Sequence, residues 1–340
     1  MNTDPSKRSF LKAAAMAGAG SLAATLGSST VNAQQPPPSG AAGLSGRVRM
    51  AGYSPSTTSF SRGLTHIGDR LESVAGLEVD YLYNVLEIGY GGGDLRWLVD
   101  AGILSAGYVS MTDVPELELA ALPFLFADNA TARAAMDGPL GASATASLEA
   151  AYNYRILGYF ENGFRHVSNN VRPVETLDDL RGLKIRVLGA QRRTFELLGA
   201  EAHAIDLTAG IEAIRAGELD GQENPFANAV TYNIYPLQRY HTATFHSYLS
   251  RPIFVHRPTF DAWPQEVRAA VRAAAREAVA LQRELKDEEE LEAQTTIREA
   301  GGEIVELSPE ARTEFVAAVQ PLHAEARRRY PAELLEMVGL

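Results

Sequence analysis

Hydrophobic and polar residues alternate along some stretches of the chain and recur every three or four residues along others. Alternation is typical of a half-buried strand, and the longer repeat is typical of one face of a helix. These patterns predict strands at 47–50, 77–85 and 106–111, a helix over 60–74, and a short helix capped by Asp94. This β-α-β-α-β order implies a mostly parallel sheet covered by helices.

The pattern restarts further along the chain and predicts a second α/β lobe. Strands are expected at 154–160 and 183–188, with helices at about 191–198 and near 211–216. A polar segment, 219–225, ends a further strand.

A long helix is predicted near the C-terminus. Apolar residues at helical spacing begin at Val267 and continue to Ile297, before Gly301 and Gly302 stop the pattern. At 1.5 Å per residue, roughly 35 residues extend about 50 Å, so the helix would brace both lobes. Its acidic run, 287–290, is interpreted as a solvated face. A strand at 304–307 and a helix beginning at Ser308 follow.

Residues 1–33 have the layout of a secretory signal peptide. The basic pair Lys7-Arg8 precedes an apolar stretch, 13–26, and Val31-Asn32-Ala33 is a small-x-small cleavage site. The segment resembles a twin-arginine (Tat) signal with lysine in the first position, and a general-secretion (Sec) signal remains the alternative. We therefore expect export to the periplasm and cleavage near Ala33. Residues 34–46, which contain three consecutive prolines, are expected to form a flexible spacer.

Composition narrows the classes of function. The 340 residues include no cysteine, which excludes disulfides, thiolate catalysis and thiolate-bound metals. The formal charge of −11 argues against a nucleic-acid partner and favours a monomeric protein. No stretch is long and apolar enough for a spanning helix. The histidines lack familiar metal-ligand spacing, so neither a metal nor a cofactor is expected.

Arg186 is the most informative single residue. It interrupts the apolar strand 183–187, where a guanidinium is costly unless it meets an anion. An arginine there could clamp the carboxylate of a ligand through two parallel hydrogen bonds, and an amide from 219–225 could bind a second oxygen. An internal ion pair explains the same residue equally well.

Several segments, in order along nearly the whole mature chain, resemble the substrate-binding proteins of TRAP transporters of the dicarboxylate-binding DctP type. The segments are Leu122-Pro123-Phe124-Leu125-Phe126, Gly163-Phe164-Arg165-His166-Val167-Ser168-Asn169, Leu180-Arg181-Gly182-Leu183-Lys184-Ile185-Arg186-Val187 with the following Leu198-Gly199-Ala200, Gly217-Glu218-Leu219-Asp220-Gly221-Gln222-Glu223-Asn224-Pro225, and His246-x-Tyr248 through Trp263-Pro264. The Asp-Gly-Gln-Glu-Asn-Pro sequence is the most specific of them.

The resemblance implies an α/β, two-lobed fold like that of periplasmic binding proteins, with a cleft between lobes and the long helix bracing both. We expect residues 47–163 plus about 252–290 to form lobe I, and 164–251 plus about 291–340 to form lobe II.

The same resemblance implies a receptor that closes on a carboxylate-bearing organic acid and hands it to TRAP permease subunits in the membrane. Arg186 would bind the carboxylate, Arg165 would add a second cation, and Asn224 would donate a hydrogen bond. Gln222 lies one alternation from Asn224 and is expected to line the cleft. The remaining two candidates are Leu207, where the family sometimes has an aromatic wall, and Tyr53, on the opposite lobe.

Two other functions remain open at this stage. One is an exported enzyme of unknown reaction, although the sequence carries no nucleophile or cofactor motif. The other is a receptor that senses a ligand without transporting it. Leu188 replaces the proline common in the family, and Ala209-Gly210-Ile211 replaces its Glu-Leu-Tyr, so the identity of the acid is not predicted.

Overall fold

The computed structural model describes residues 46–340. Within this range nine strands join one sheet, in the spatial order β2-β1-β3-β8-β4-β7-β5-β6, with β9 beside β8. The strands are β1 (Arg47–Ala51), β2 (Glu78–Leu82), β3 (Ala106–Tyr108), β4 (Tyr154–Asn169), β5 (Lys184–Val187), β6 (Glu201–Ala204), β7 (Gly221–Asn224), β8 (Tyr240–His256) and β9 (Glu303–Glu306). The signal peptide and most of the spacer predicted for 1–33 and 34–46 lie outside the described residues.

Helices cover the sheet. They are α1 (Ser59–Ala75), α2 (Leu95–Asp100), α3 (Pro115–Ala120), α4 (Asn129–Asp137), α5 (Pro139–Ala151), α6 (Arg192–Leu197), α7 (Leu207–Arg215), α8 (Phe226–Thr231), α9 (Arg257–Asp261), α10 (Gln265–Glu299), α11 (Pro309–Arg329) and α12 (Ala332–Glu336). None of the helices in this part of the chain is long and apolar enough to cross a membrane.

Elements with strong local signals form as predicted. Helix α1 begins after Thr58, whose side chain accepts a hydrogen bond from the Ser61 amide, and ends at Gly76 in the left-handed conformation. Helix α10 is 35 residues long, as expected from its apolar spacing. Ser308 caps α11 through the Ala311 amide, with Pro309 in the first turn.

The prediction of a mostly parallel sheet is wrong at the centre of the molecule. The outer pairs β1–β2, β1–β3, β5–β6 and β5–β7 are parallel, whereas β4 and β8 pair antiparallel with each other over nearly their whole length. Strand β4 continues nine residues beyond the predicted end at Phe160, and β8 was not predicted. Glycines and a proline interrupt the sequence pattern of these strands, and three register shifts in their pairing absorb the interruptions.

Separate hydrophobic clusters lie at the two ends of the sheet. One is built on β1, β2, β3, α1 and the Tyr154–Phe164 part of β4, and the other on β5, α6 and part of α11. Strands β4 and β8 pass from one end to the other, so they connect the two halves directly. The lobe boundaries given above stay a prediction; at the C-terminus, Leu334, Leu335 and Val338 pack into the first cluster.

The acidic run of α10 is not simply a solvated face, which corrects that interpretation. Glu289 accepts hydrogen bonds from the amide and hydroxyl of Ser59, at the start of α1. Glu290 accepts from the amides of Phe226 and Ala227, at the start of α8. Carboxylates are favourable at these positions because unpaired N–H groups and the helix dipole leave helix N-termini positive. The long helix therefore contacts both halves through two adjacent side chains.

Candidate ligand-binding site

A cavity of about 190 Å³ lies where segments from the two halves face each other. One wall comes from the loops after β1, β2 and β3, and the other from the ends of β5 and β7 and the start of α7. The residues that line it are Tyr53, Leu86, Gly92, Gly93, Val109, Ser110, Arg165, Arg186, Leu188, Asp206, Leu207, Asn224, Asn228, Tyr232 and Arg251. Five of the six predicted site residues are among them: Arg186, Arg165, Asn224, Leu207 and Tyr53.

Arg186 projects from β5 into this cavity and is buried, with 4% of its surface exposed. Its Nε donates to the carbonyl oxygen of Ile205 at 3.1 Å, and no carboxylate of the described residues lies within salt-bridge distance. Burial lowers the pKa of its guanidinium, and the more distant carboxylates of Glu223 and Asp206 oppose that shift. Arginine stays protonated at neutral pH, so the cavity wall contains a buried cation that is not paired with any carboxylate of the described residues.

Arg165 also lines the cavity, but it is already paired. Its Nε and Nη2 both contact the carboxylate of Glu223, and Nη2 also donates to the Glu223 carbonyl oxygen. Burial alone would raise the pKa of Glu223, but Arg165 and His246 lower it to about 2. Glu223 also accepts a hydrogen bond from the Leu188 amide at 2.8 Å. Its carboxylate therefore links the Arg165 side chain to the backbone just after β5.

Asn224 ends β7 beside the cavity, where Pro225 breaks the strand and α8 begins. Its Nδ2 donates to Oε1 of Gln222, and its Oδ1 accepts from Nδ2 of Asn228 at 3.3 Å. Gln222 is not among the lining residues, although we expected it there: its amide lies behind Asn224 and donates to the Ser168 hydroxyl at 2.9 Å. Gln222 therefore orients the Asn224 side chain through a hydrogen bond and does not itself line the cavity.

Tyr53 and Leu207 lie on opposite walls. Tyr53 follows β1 and stacks against Tyr232 with ring centroids 6.4 Å apart. Leu207 is the first residue of α7 and is half-buried beside Asp206, which caps that helix through the Thr208 amide. Tyr53, Tyr232 and Leu207 thus supply apolar surface around the polar side chains of the cavity.

Several lining residues were not predicted from the sequence, and Arg251 is the most notable of them. It sits in β8 within the apolar sequence Tyr248-Leu249-Ser250-Arg251-Pro252-Ile253, so the reasoning that singled out Arg186 would have found it. Asn228 lies in α8, four residues after Asn224. Ser110, Asp206 and Tyr232 carry no sequence signal that separates them from ordinary loop residues.

The arrangement is suited to binding an anion. Guanidinium groups offer only hydrogen-bond donors, in a planar fork that matches a carboxylate. Asn224, Asn228 and Ser110 can donate or accept and therefore suit carbonyl or hydroxyl oxygens of a ligand. In a low-dielectric cavity the contact between Arg186 and a carboxylate would be stronger than in water.

The family model described as bacterial extracellular solute-binding protein, family 7, matches residues 91–329. A solute-binding protein of Verminephrobacter eiseniae is 31% identical over 227 residues, which cover 66% of this chain and 67% of that protein.

Among solved structures, the sugar acid binding protein DctPAm of Advenella mimigardefordensis, in complex with galactonate, has a TM-score of 0.80 and 25% identity, covering 86% of this chain and 96% of that one. A TRAP periplasmic solute binding protein of Xanthobacter autotrophicus, with bound β-D-galacturonate, has a TM-score of 0.78 and 26% identity, covering 86% of this chain and 98% of the other.

Proposed function

Because the chain belongs to the bacterial extracellular solute-binding proteins of family 7, we propose that it is the solute receptor of a TRAP transporter and binds a carboxylate-containing organic acid. The observation that carries this proposal is Arg186, a buried cation that faces an interlobe cavity and forms no salt bridge with a carboxylate in the part of the chain that the structure describes. Sugar acids are the first ligands to test, since galactonate and galacturonate occupy the two similar structures.

The ligand would bind between two lobes that close on it. We propose the division inferred from the sequence, with 47–163 plus about 252–290 in lobe I and 164–251 plus about 291–340 in lobe II, except that Leu334, Leu335 and Val338 pack with the core of lobe I. Arg186 and Asn224 would hold the carboxylate on lobe II, and Tyr53 would cover it from lobe I. Closure excludes water from the contact, which strengthens it. Arg165 lines the same cavity, but Glu223 already balances its charge.

The partners and the location follow from the family and from the N-terminal sequence. We propose that the chain is exported to the periplasm as a monomer, that its signal peptide is cleaved near Ala33, and that the loaded receptor delivers the acid to TRAP permease subunits. The family is one of solute-binding receptors, and we propose that this chain binds its ligand without catalysing a reaction.

A ligand screen tests the proposal. The purified protein is unfolded thermally with D-galactonate, D-galacturonate, D-erythronate and C4-dicarboxylates, with neutral sugars of the same size as controls. A true ligand at 100 times its dissociation constant should stabilise the protein by roughly 2.7 kcal/mol. Stabilisation by neutral sugars alone, or by none of the acids, would contradict the proposal.

A second measurement separates transport from sensing. A strain that lacks this protein should lose uptake of the acid found in the screen and should recover it when the protein is restored. Normal uptake in the deletion strain, together with tight binding in vitro, would favour a sensory receptor.

A further inference from the structure

A second buried guanidinium, that of Arg251, faces the ligand cavity without a charged partner among residues 46–340. Arg251 lies in β8, only 3% of its surface is exposed, and it lines the same cavity as Arg186. Its Nε and Nη1 are buried and have no hydrogen-bond partner among the described residues. Buried donors in folded proteins are almost always paired, so two unpartnered nitrogens on one guanidinium require an explanation.

The groups around Arg251 are neutral. Its Nη2 donates to Oδ1 of Asn162 at 2.5 Å, and its Cζ lies 4.7 Å from the ring centroid of Tyr53 and 4.1 Å from that of Phe60. The faces of aromatic rings attract a cation, and they hold the guanidinium in a fixed orientation. They do not accept its remaining N–H hydrogens in the way a carboxylate does.

The buried charges beside the cavity include more cations than paired carboxylates. Arg165 and Glu223 form a pair, which leaves Arg186 and Arg251 as two buried cations beside the cavity without a paired carboxylate in the described chain. Asp206 also lines the cavity, but it is exposed to solvent at the start of α7. A ligand with one carboxylate supplies a single negative charge for these two cations, so one positive charge stays uncompensated.

We propose that Arg251 is a specificity-determining residue that binds a second acidic group, at the end of the ligand remote from the carboxylate held by Arg186. The proposal rests on the proposed function, because it assigns the second end of a ligand in the same site. Asn162 and the rings of Tyr53 and Phe60 orient the fork, and the free Nε and Nη1 donate to the second carboxylate.

Matched pairs of acids that differ only at one end test this assignment. Galactarate carries a carboxylate where D-galactonate has a terminal hydroxyl, and meso-tartrate relates to D-erythronate in the same way. Calorimetric titration of the wild-type protein should give at least ten-fold tighter binding of the diacid in one of these pairs. This comparison needs no variant.

Variants then assign the preference to the residue. In Arg251→Gln the preference for the diacid should disappear, while Arg251→Lys should retain part of it because the charge is kept. Arg283→Gln is the control, since Arg283 is another partly buried arginine, paired with Asp137 and absent from the cavity wall. A merely structural role of Arg251 would weaken both members of a pair equally.

The outcomes are distinct. Equal affinity for both members of both pairs in the wild type, or a preference that survives in folded Arg251→Gln, would overturn the role of Arg251 and leave the receptor function standing. Failure of all four acids and of the wider screen to bind would instead overturn the proposed function.

Discussion

The position of the Arg186 side chain depends on a residue that does not itself contact a ligand. A Cβ at Gly210, in α7, would lie 2.5 Å from Cγ and 3.1 Å from Cδ of Arg186. Only glycine allows the helix to approach the base of this side chain so closely. Ala209-Gly210-Ile211 stands where similar proteins commonly have Glu-Leu-Tyr. The close contact with Arg186 explains why glycine occupies position 210 in this chain.

We expect Gly210→Ala to weaken ligand binding by about ten-fold or more, because the added methyl group must displace the guanidinium or the helix, and such overpacking costs roughly 1–3 kcal/mol. Without the clash, alanine in a helix would be stabilising by up to about 1 kcal/mol. Titration with the acid identified in the screen measures the effect. Gly189→Ala is the control, since a Cβ there meets nothing within 4 Å. Equal affinities of the two variants would refute the packing argument.

The Arg165–Glu223 pair predicts a pH-dependent contribution to stability. The pKa of Glu223 is lowered to about 2 in the folded protein, so its stabilising effect is complete above its ordinary pKa near 4.3 and is lost as the pH falls towards 2. At pH 7, Glu223→Gln should lower the free energy of unfolding by about 3–5 kcal/mol, because it leaves Arg165 buried and unpaired.

Urea unfolding at pH 7 and at about pH 3.5 measures this difference, which should be smaller at the lower pH. The exposed Glu212, paired with Arg215 on α7, provides the control Glu212→Gln, for which a change within about 0.5 kcal/mol is expected. A Glu223→Gln effect that is equally large at both values of pH would contradict the assigned pKa.

At the scale of residues, a site residue could be predicted where its chemical type is unusual for the local sequence around it. Arg186 could be found because a guanidinium in an apolar strand needs an anion. The cavity position of Asp206 or Ser110 depends on contacts between segments far apart in the chain, and no local pattern encodes such contacts. Gln222 and Asn224 share a strand face as expected, but the break at Pro225 brings only Asn224 to the cavity wall.

At the scale of elements, α10 connects the two halves through chemically specific contacts. Glu289 binds the start of α1 and Glu290 the start of α8. Lys286, one turn earlier, is buried and donates to Glu290 at 2.6 Å. His166 stacks on Phe226 and lies 3.5 Å from Glu290, which extends this cluster towards β4.

We expect Glu289→Gln and Glu290→Gln each to lower the free energy of unfolding by about 1–3 kcal/mol, since each removes a charged acceptor from two donors at a helix start. The effect of Glu290→Gln should be the larger, because Lys286 would then be buried without its counter-ion. Glu288→Gln, an exposed neighbour on the same helix, is the control and should change little. Equal effects of the three substitutions in chemical denaturation would contradict this account.

The long helices were predictable because their apolar spacing persists over many turns, whereas β4 and β8 were not. Their strand conformation is maintained by pairing with each other, which spans most of both strands and includes residues such as Gly158 and Gly163 with positive φ. Phe245, within β8, also has positive φ. Long-range pairing thus outweighs local preference at the centre of the sheet.

At the scale of the whole molecule, we expect buried charge to couple ligand binding to closure. Arg186 and Arg251 are both buried beside one cavity without a paired carboxylate among the described residues, and burying unpaired charges is unfavourable. A bound anion removes that cost. We therefore expect the ligand-free protein in solution to populate a more open arrangement, which the acid shifts towards the closed one.

Small-angle X-ray scattering tests this coupling. Saturating acid should decrease the radius of gyration of the wild type and leave that of Arg186→Ala unchanged at the same ligand concentration. An unchanged radius in the wild type, with binding confirmed by calorimetry, would show that closure does not depend on the ligand.

The most direct test of the central claim is the affinity of Arg186 variants for the acid that binds the wild type most tightly. Arg186→Ala should weaken binding by at least about 100-fold, because it removes a bidentate charge-assisted contact. Arg186→Lys should weaken binding less, because lysine keeps the positive charge although it lacks the planar fork. Arg181→Ala, with its side chain 77% exposed in the same segment, is the matched control and should bind normally. An affinity of Arg186→Ala equal to that of the control would contradict the claim that Arg186 binds the carboxylate of the ligand.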